Sequence, residues 1–402
     1  MKDGILTLNA GSSSLKFALF CIDIHEREPS LLIKGQIAGI GTAVRIKLWR
    51  ADGEPVEGGG DVGRQAITTH QNALSWVLDW LQTQVADVKL VGVGHRVVHG
   101  GSDQRFPALV TPSLMEELEA LCTLAPHHQP HNLAAIRAVM VKDKTLPQVA
   151  CFDTAFHAAQ PPLARRLPLP RRYQQQGIQR YGFHGLSYEY IVDALPKYSG
   201  DELPERLIVA HLGNGASLCG VKNGVSTITT MGFSTLDGVM MGTRSGAVDP
   251  GVLLHLMREE NMTEAQLSDL VYNQCGLLGV SGISSDMQEL LNSEDANARE
   301  AIELFCYSIV QSMGALMAVL GGVDALVFTG GIGEHAPLIR STLCRKLGWL
   351  GLRLDEATNS HNGPLISTSG SAIEAWVIPT DEELVIARHT NHVLQQSAQY
   401  AV

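Results

Sequence analysis

The stretch ILTLNAGSSSLKF, from Ile5 to Phe17, predicts a β-hairpin whose turn is suited to hold a phosphate group. Apolar residues typical of strands flank a turn that contains Asn9, Gly11, three serines and Lys16. Glycine lets a ligand approach the backbone closely, hydroxyl and amide groups donate hydrogen bonds, and lysine adds a positive charge. The stretch is not a Walker loop, because the G-x-x-x-x-G-K-[ST] spacing is absent. Taken alone, an ordinary polar turn explains these residues equally well.

A second stretch later in the chain repeats this pattern. LIVAHLGNGASLCGV, from Leu207 to Val221, again predicts an apolar strand, a turn of asparagine, glycine and small residues, and a second apolar strand. Two hairpins of this kind suggest two similar half-molecules that face one nucleotide. We therefore expect an α/β protein with two related domains.

Composition favours a protein that binds a small molecule. A chain of 402 residues, 45% of them hydrophobic, is long enough for two domains with large cores. The formal net charge of -11 argues against a nucleic-acid partner, which needs clustered Lys and Arg. Seven cysteines without paired spacing, and an N-terminus too short in apolar residues for a secretory signal, predict a cytoplasmic protein. Ile309 to Gly331 is interrupted by glycines and Asp324, which predicts a buried helix and strand rather than a membrane span.

Two arginines lie where an anion could bind. The strand Lys89 to Val98 carries Arg96 at its end, and ligands of open α/β folds gather outside the carboxyl ends of strands. On this evidence alone, a surface salt bridge explains Arg96 equally well. Arg244 lies in a long glycine-rich segment, Thr229 to Pro250.

Several histidines lie in turns. His127, His128 and His131 belong to APHHQPHN, whose two prolines predict a rigid loop rather than a zinc site. His184, in RYGFHGLS, lies between two glycines of a tight turn. A turn of this kind fixes the backbone and orients the ring, so His184 is a candidate site residue.

Two later segments complete the set of candidate ligand groups. DALVFTGGIGE, from Asp324 to Glu334, predicts a strand followed by a glycine loop at a helix N-terminus, which can hold an anion or an adenine. Near the C-terminus, Thr380 and Glu383 fit a capping box, which leaves Asp381 and Glu382 to face a ligand or a metal. Carboxylate oxygens suit Mg²⁺ when phosphate oxygens supply other ligands.

Together these groups predict phosphoryl transfer from a magnesium nucleotide. If the acceptor is a carboxylate, it is already ionised at neutral pH and needs no general base. Positioning and charge neutralisation then carry the catalysis.

The same stretches resemble the acetate kinase family, which includes propionate kinases. In chain order they are LTLNAGSSSLKF, GHRVVHGG, FDTAFH, RYGFHG, AHLGNGAS, MGTRSG, GISSDM, FTGGIGE and IPTDEEL. The resemblance implies an α/β fold of two duplicated actin-like domains, of the acetate and sugar kinase, Hsp70 and actin type (ribonuclease H-like), with a nucleotide cleft between them. It implies an N-terminal domain, residues 1–150, completed by a C-terminal helix at 384–402. Residues 151–383 would form a second domain that binds the nucleotide and builds a homodimer.

The resemblance also implies an activity. It predicts reversible, direct in-line transfer of a phosphoryl group between ATP and a short-chain carboxylate, acetate or propionate, to give the acyl phosphate. ATP or ADP would be the co-substrate, and Mg²⁺ or Mn²⁺ the cofactor. The expected partners are these small molecules and a second copy of the chain, with no nucleic acid and no membrane.

Metal and nucleotide residues are implied position by position. Asn9 and Glu382 would serve the metal, and Ser12, Ser14 and Lys16 would line the path of the phosphates. The other residues implied to hold the nucleotide are His211, Leu212, Gly213, Asn214, Gly215, Asp286, Met287, Gln288, Gly331, Ile332, Gly333, Glu334 and His335.

Four residues are implied to be catalytic. Arg96 and Arg244 would hold the acyl carboxylate and the moving phosphoryl group, and their two charges would neutralise its equatorial oxygens. His184 would contact the phosphoryl group. For Asp153 we favour a role in orienting Arg96 or a water, because the nucleophile needs no deprotonation.

The expected acyl pocket departs from the family pattern. Where the family typically has a valine, a leucine, a phenylalanine and a proline, this chain has Val98, His127, Phe183 and Thr235. One methylene in an apolar pocket is worth only about 1 to 3 kcal/mol of discrimination, so even an intact pocket separates acetate from propionate poorly. Two polar replacements predict a preference shifted toward a longer or more polar acid.

Two other functions fit the same fold. One is a kinase of the same superfamily that acts on a hydroxyl group, with Asp153 as general base. The other is a nucleotide-regulated chaperone or filament protein, since a fold does not fix a function.

Overall fold

The structure is a computed structural model that describes residues 1–11, 13–23, 28–56, 67–102, 106–200 and 202–399. The chain divides into two compact units. Unit 1 comprises Met1–Ala155 and Asp381–Val402, and unit 2 comprises Phe156–Thr380. Ser12, most of the segment 54–63, whose glycines predict a loop, and residues 400–402 of the predicted C-terminal helix lie outside the described residues.

Unit 1 is built on a seven-stranded mixed sheet. Its strands are β1 (Lys2–Ala10), β2 (Ser14–Ile22), β3 (Ser30–Ala38), β4 (Arg45–Arg50), β5 (Val88–Val97), β6 (Ala108–Leu109) and β7 (Gln148–Phe152). They lie in the order β4-β3-β2-β1-β5-β7-β6, with β1, β5 and β7 parallel to one another. The predicted first hairpin is confirmed, because β1 and β2 pair antiparallel with Asn9 opposite Lys16.

Unit 2 repeats part of this sheet. Its strands are β8 (Arg206–Leu212), β9 (Ala216–Lys222), β10 (Val225–Thr229), β11 (Ala325–Thr329) and β12 (Glu374–Val377). The order β10-β9-β8-β11-β12, with β8, β11 and β12 parallel, matches β3-β2-β1-β5-β7 strand for strand. The second hairpin, β8 and β9, is therefore the counterpart of the first, as the two similar stretches predict.

Helices accompany both sheets. Those of unit 1 are α1 (His70–Gln84), α2 (Pro112–Ala120), α3 (Gln129–Lys142) and, at the end of the chain, α15 (Glu382–Gln399). Those of unit 2 are α4 (Pro162–Arg165), α5 (Arg171–Gln175), α6 (Gly185–Ser199), α7 (Pro250–Glu259), α8 (Glu264–Asp269), α9 (Gly276–Ser281), α10 (Met287–Leu291), α11 (Ala296–Leu320), α12 (Gly330–His335), α13 (Pro337–Lys346) and α14 (Glu356–Ser360). Single turns of 3-10 helix occur at Leu121–Thr123, Ala155–His157 and Gly348–Leu350, and a π-helical turn occurs at Leu270–Gln274.

The two faces of β1 bury different side chains. Leu6 and Leu8 belong to a cluster that includes the apolar face of α1, whereas Ile5 packs with Ala387 of α15. Successive side chains of a strand point to opposite faces, so an almost continuous apolar run predicts a strand covered on both sides. A Cβ on Gly94 of β5 would lie 2.5 Å from Ile386 Cγ2, and the bare glycine backbone therefore lets α15 pack closely.

Three local predictions are wrong. APHHQPHN is not a loop throughout, because α3 begins at Gln129 and includes His131; Pro130 is tolerated in the first turn, where a helix does not need its N–H. Thr380 and Glu383 do not cap α15: Asp381 Oδ1 accepts the amide of Leu384 at 2.9 Å instead.

The third wrong prediction concerns the glycine loop at Gly330 to Glu334, which we expected to precede a helix at His335 to Leu347. These glycines themselves form α12, and the expected helix begins at Pro337 as α13, after a break at Ala336. Proline restricts the residue before it away from the helical region, which accounts for the break.

Helix α11 is both long and apolar. Of the described helices, α11 alone is long and apolar enough to cross a membrane by length and composition. Phe305, Ile309 and Met313 of α11 are buried within unit 2, and β11, which follows it, is buried along its whole length. Core helices of globular proteins pass the same test, so α11 is weak evidence for a membrane span.

Candidate active site

Parallel pairing brings Arg96 and Asp153 together in unit 1. β1 pairs with β5 and β5 with β7, so the carboxyl ends of the three strands lie side by side. Arg96 Nε donates to Asp153 Oδ1 at 2.9 Å and Nη2 to Oδ2 at 2.6 Å, a bidentate pair in which the Asp153 side chain is 2% exposed. A bidentate carboxylate holds the planar guanidinium in one orientation.

The remaining arm of the same guanidinium faces two oxygen groups. Arg96 Nη1 lies 3.3 Å from Glu382 Oε2 and 3.5 Å from Asn9 Oδ1. Burial alone would lower the pKa of Arg96, but Asp153 and Glu382 outweigh it and raise the pKa, so the side chain stays charged. Two carboxylates beside one guanidinium leave a net negative charge, and the oxygens of Asn9 and Glu382, which could act as metal ligands, both lie near Arg96 Nη1. This donor set fits a hard divalent cation such as Mg²⁺.

The acidic residues next to Glu382 belong to the same negatively charged site. Burial, and secondarily the charge of Glu382, raise the pKa of Glu383, while Lys16 opposes the shift. Burial also raises the pKa of Asp381, which caps α15. Glu382, the first residue of α15, is thereby held at the site by the start of a capped helix.

Side chains that the sequence interpretation did not single out hold these strand ends. Asn132 Oδ1 accepts the amide of Val98 at 3.0 Å, and its Nδ2 donates to the carbonyl of Ala10 at 2.8 Å. His70 Nε2 donates to the carbonyl of Gly11 at 2.6 Å. One buried asparagine thus connects the end of β1 to the end of β5, and a histidine holds the next carbonyl of the turn.

The turn of the first hairpin closes locally. The amide of Gly11 donates to the carbonyl of Ser14 at 2.9 Å. Lys16 is exposed on β2, opposite Asn9, and is therefore available to a ligand at this turn.

In unit 2, the first feature is the backbone of His184. This residue has a left-handed conformation, φ 59°, immediately before α6. The neighbouring carbonyl of Phe183 accepts a hydrogen bond from His157 Nε2 at 2.9 Å, and burial lowers the pKa of His157 to about 4, so His157 is neutral. Few residues other than glycine adopt this conformation, and those that do are often found at functional sites.

Two further groups lie beside His184. Its ring stacks on that of His211 with centroids 4.3 Å apart. A Cβ built on Gly215 would lie 3.5 Å from His184 Nε2 and 3.8 Å from Arg244 Nη1, so the two side chains flank the same glycine. Arg244 Nη1 also donates to the carbonyl of Thr235 at 2.9 Å, which fixes the arginine. The structure therefore brings together predicted residues that are up to 60 positions apart (184 to 244).

Unit 2 also contains a cavity of about 550 Å³, within the range of ligand pockets. The β8–β9 turn, the N-terminus of α10 and α12 surround it. Its lining residues are Gly213, Asn214, Ser285, Asp286, Met287, Gln288, Gly331, Ile332, His335 and Ala336. Most of the unit 2 residues implied to hold the nucleotide therefore line this cavity.

Five of the implied nucleotide residues lie elsewhere in unit 2, and two of them, His211 and Gly215, are the neighbours of His184 described above. Leu212 and Gly333 are buried. Glu334 turns back to the protein, where its Oε1 accepts the amides of Gly330 at 2.8 Å and Thr380 at 3.2 Å. Asp286 lines the cavity but also caps α10, since its Oδ1 accepts the amide of Gln288 at 2.8 Å.

The four residues of the expected acyl pocket are divided between the units. Val98 and His127 are in unit 1, and Phe183 and Thr235 are in unit 2. His127 is exposed, whereas the other three are buried. Across the described ranges, no three His, Cys, Asp or Glu side chains are grouped so as to hold a metal ion, and this includes the histidines of APHHQPHN.

These features define a class of protein. A duplicated α/β sheet, an arginine held by a carboxylate beside two side-chain oxygens, and a glycine-lined cavity fit a phosphotransferase, in which placed charges and a bound nucleotide carry the reaction. The comparisons with known proteins agree with this class.

A model of the acetokinase family matches residues 4–388. An acetate kinase of Rhodopseudomonas palustris is 48% identical over 392 residues, which are 97% of this chain and 98% of the relative. An acetate kinase of Nitrobacter hamburgensis is 46% identical over 98% of this chain and 96% of the relative. Among solved structures, a propionate kinase of Francisella tularensis is 34% identical with a TM-score of 0.89, covering 97% of this chain and 100% of the other. Acetate kinase of Porphyromonas gingivalis, also 34% identical, covers 98% and 100% with a TM-score of 0.84.

The chain belongs to the acetokinase family. It is a phosphotransferase with a carboxyl group as acceptor, and it phosphorylates a carboxylate at the expense of ATP. Family membership implies ATP or ADP as co-substrate and a divalent metal ion. The family relation does not favour the hydroxyl-kinase alternative.

Proposed function

We propose that this protein transfers the γ-phosphoryl group of Mg²⁺-ATP directly and reversibly to acetate or propionate. The observation that carries the proposal is the arrangement of Arg96, which is paired with Asp153 and lies beside the oxygens of Glu382 and Asn9. A fixed cation can bind the carboxylate of the acid, which is already ionised. Such a site needs no general base.

Mg²⁺ fits the oxygen donors of unit 1. Asn9 and Glu382 would hold it, because Mg²⁺ takes one or two protein ligands and keeps waters and phosphate oxygens for the rest. When bound, it neutralises charge on the nucleotide phosphates. Lys16, Ser14 and, by its place in the sequence, Ser12 bind phosphate oxygens of the same nucleotide.

The catalytic side chains act by position and charge. Arg96 binds the acyl carboxylate, and Arg244 and His184, which flank Gly215, bind the equatorial oxygens of the phosphoryl group. Asp153 orients Arg96 through its bidentate pair and does not take a proton from the acceptor. The cavity of unit 2, with Asn214 and Gly331 in its wall, holds the nucleoside.

The preferred acid is set by Val98, His127, Phe183 and Thr235. We propose that polar side chains at the second and fourth positions shift preference from acetate toward a longer or more polar acid. In His127→Leu the profile returns toward acetate. A wild-type profile in which acetate is best by about tenfold contradicts the shift, since tenfold is already what one methylene supplies in an unaltered apolar pocket.

We also propose that the protein is a cytoplasmic homodimer formed through unit 2. Leu304, Tyr307 and Val319 of α11 expose apolar surface, with Tyr307 62% exposed, and a partner subunit would cover it. All seven cysteines are thiols, which supports a reducing compartment. Sedimentation should give twice the chain mass for the wild type and the chain mass for Tyr307→Glu.

A hydroxamate assay tests the activity. Enzyme, ATP and Mg²⁺ are incubated with each acid from formate to butyrate, and with glycolate and lactate, and acyl phosphate is trapped with hydroxylamine. We expect product with acetate or propionate, and none with Arg96→Ala. Arg137→Ala, which removes an arginine half-exposed on unit 1 and paired with Glu119, is the matched control and keeps activity. No product from any acid, despite nucleotide binding, contradicts the proposal.

A further inference from the structure

Two buried hydroxyl groups connect in series to His184. Tyr188 Oη hydrogen-bonds Ser217 Oγ, and Ser217 Oγ lies 2.8 Å from His184 Nδ1. Tyr188 is one turn after His184 at the start of α6, and Ser217 is on β9. Tyr188 and Ser217 are both fully buried, so water does not compete for these hydrogen bonds.

Counting hydrogens gives the direction of these two hydrogen bonds. Burial raises the pKa of Tyr188 well above its ordinary value of 10, so the phenol keeps its proton. Among the described residues its sole hydrogen-bond partner is Ser217, so Tyr188 donates and Ser217 accepts. The single proton of Ser217 then points to His184 Nδ1, which accepts. A neutral imidazole whose Nδ1 accepts carries its proton on Nε2.

We propose that Tyr188 and Ser217 are positioning residues that fix His184 as the neutral tautomer protonated on Nε2. The Nε2 edge faces Gly215, next to Arg244 Nη1. The inference rests on the proposed function, in which this edge meets the phosphoryl group. A donor is then permanently aimed at an oxygen that gains charge in the transition state. The opposite tautomer would turn a lone pair toward the same anion.

The groups around His184 favour this neutral form. Arg244 already supplies a positive charge at the Nε2 edge, and the stacked ring of His211 lies 4.3 Å away. If the ring of His184 or of His211 were protonated, its positive charge would repel these neighbouring groups. His211 has its own hydroxyl partner, because Ser187 Oγ lies 2.8 Å from His211 Nδ1.

Nitrogen NMR tests the tautomer without any substrate. Histidine is labelled with ¹⁵N in the full chain, and the His184 signals are assigned by their loss in His184→Asn. We expect a protonated, pyrrole-type Nε2 and an unprotonated, pyridine-type Nδ1 in the wild type. Ser217→Ala should mix the tautomers or move the proton to Nδ1, and Ser217→Thr, which keeps the hydroxyl, should restore the wild-type signals. Tyr188→Phe, a nearly isosteric change, should give a smaller shift in the same direction.

The matched control removes the hydroxyl of the neighbouring histidine. Ser187→Ala should change the signals of His211 and leave those of His184 unchanged. In turnover, Ser217→Ala should lower kcat by about 10- to 100-fold, the range seen when an orienting partner is removed, with KM for the acid nearly unchanged.

Two outcomes overturn the inference. One is a wild-type His184 that carries its proton on Nδ1, and the other is a Ser217→Ala variant with unchanged His184 signals and kcat. The spectra need no turnover, so they test the tautomer even if the protein phosphorylates no acid. The absence of acid phosphorylation would contradict the proposed function, and the nitrogen signals alone would still decide the tautomer.

Discussion

The carboxyl ends of the two sheets hold different kinds of groups, although the strands run in the same order. In unit 1, β1, β5 and β7 end near Asn9, Arg96 and Asp153, which offer charged and polar side chains. In unit 2, β8 and β11 are followed by glycines such as Gly213 and Gly331, which offer backbone and space. One fold therefore carries a cluster of charged side chains in one copy and a cavity in the other, and the residues at the strand ends decide which.

The comparison predicts that unit 1 depends most on charge. Arg96→Ala leaves Asp153 and Glu382 without their cation and removes the group that we propose binds the carboxylate of the acid. We expect kcat/KM to fall by about 10³-fold or more, the range reported for arginines that stabilise phosphoryl transfer. Steady-state kinetics with saturating Mg²⁺ measure the fall.

Arg96→Lys separates charge from geometry. Lysine keeps the positive charge but cannot form the bidentate pair with Asp153, so it should recover only a small part of the activity. An Arg96→Ala enzyme within tenfold of the Arg137→Ala control would mean that charge at this strand end is not what unit 1 contributes.

The next prediction concerns the support beneath the charged groups. Asn132→Leu removes the side chain that partners two backbone groups, so the amide of Val98 and the carbonyl of Ala10 lose their hydrogen bonds to it. Each unsatisfied buried group costs about 1 to 3 kcal/mol, so the free energy of unfolding should fall by about 2 to 6 kcal/mol. Urea unfolding monitored by tryptophan fluorescence measures this change.

Asn132→Asp tells the two hydrogen bonds apart. The carboxylate still accepts from Val98 but cannot donate to Ala10. Because Ala10 follows Asn9 in β1, this variant should lower activity through the proposed metal ligand Asn9 while keeping the link to β5. Full activity in Asn132→Asp would show that the bond to Ala10 does not position Asn9.

Acid should weaken both units, and unit 1 more than unit 2. Burial lowers the pKa to about 4 for His95 and His99 in unit 1 and for His157 in unit 2, against 6.5 for an unfolded histidine. The unfolded chain therefore binds more protons between pH 6.5 and pH 4. Stability that is present above pH 6.5 is lost as the pH falls through this range.

At pH 5 the loss is about 2 kcal/mol for each histidine, because one pKa unit corresponds to about 1.4 kcal/mol. Hydrogen exchange at pH 7 and pH 5, followed for peptides of each unit, measures the loss separately. His157→Gln should remove the pH dependence in unit 2 and leave that of unit 1. Equal protection at both pH values in the wild type would contradict the buried, neutral state of these histidines.

Short-range patterns made much of this architecture predictable. Both hairpins, the helix after Thr69 and the helix start at Thr111 and Pro112 follow from alternation, helical spacing and capping residues. Arg96 was a candidate because it ends an apolar strand. The alternation of strand and turn carries this information within about ten residues.

Contacts between distant residues were not predictable in the same way. Asn132 bonds a carbonyl 122 positions away, and His157 bonds one 26 positions away. A side chain that bonds a backbone carbonyl leaves no spacing in the sequence, since every residue has a carbonyl. Asn132 was not predicted to have a role because the two prolines of APHHQPHN indicated a loop, whereas α3 begins between them.

The smallest effect should come from a pair of adjacent glycines in unit 2. Gly330 has φ +77°, and a Cβ there would lie 2.9 Å from the carbonyl oxygen of Leu212. Gly331, the next residue, would place its Cβ in open space, and it lines the cavity. Gly330→Ala should therefore cost about 1 to 2 kcal/mol of stability, the cost of a left-handed conformation for a residue with a Cβ. Gly331→Ala should keep the melting temperature and raise KM for ATP, because the methyl group occupies ligand space. If both variants lose stability alike, unit 2 uses its glycines for folding only, and the contrast with the charged strand ends of unit 1 would lose its functional meaning.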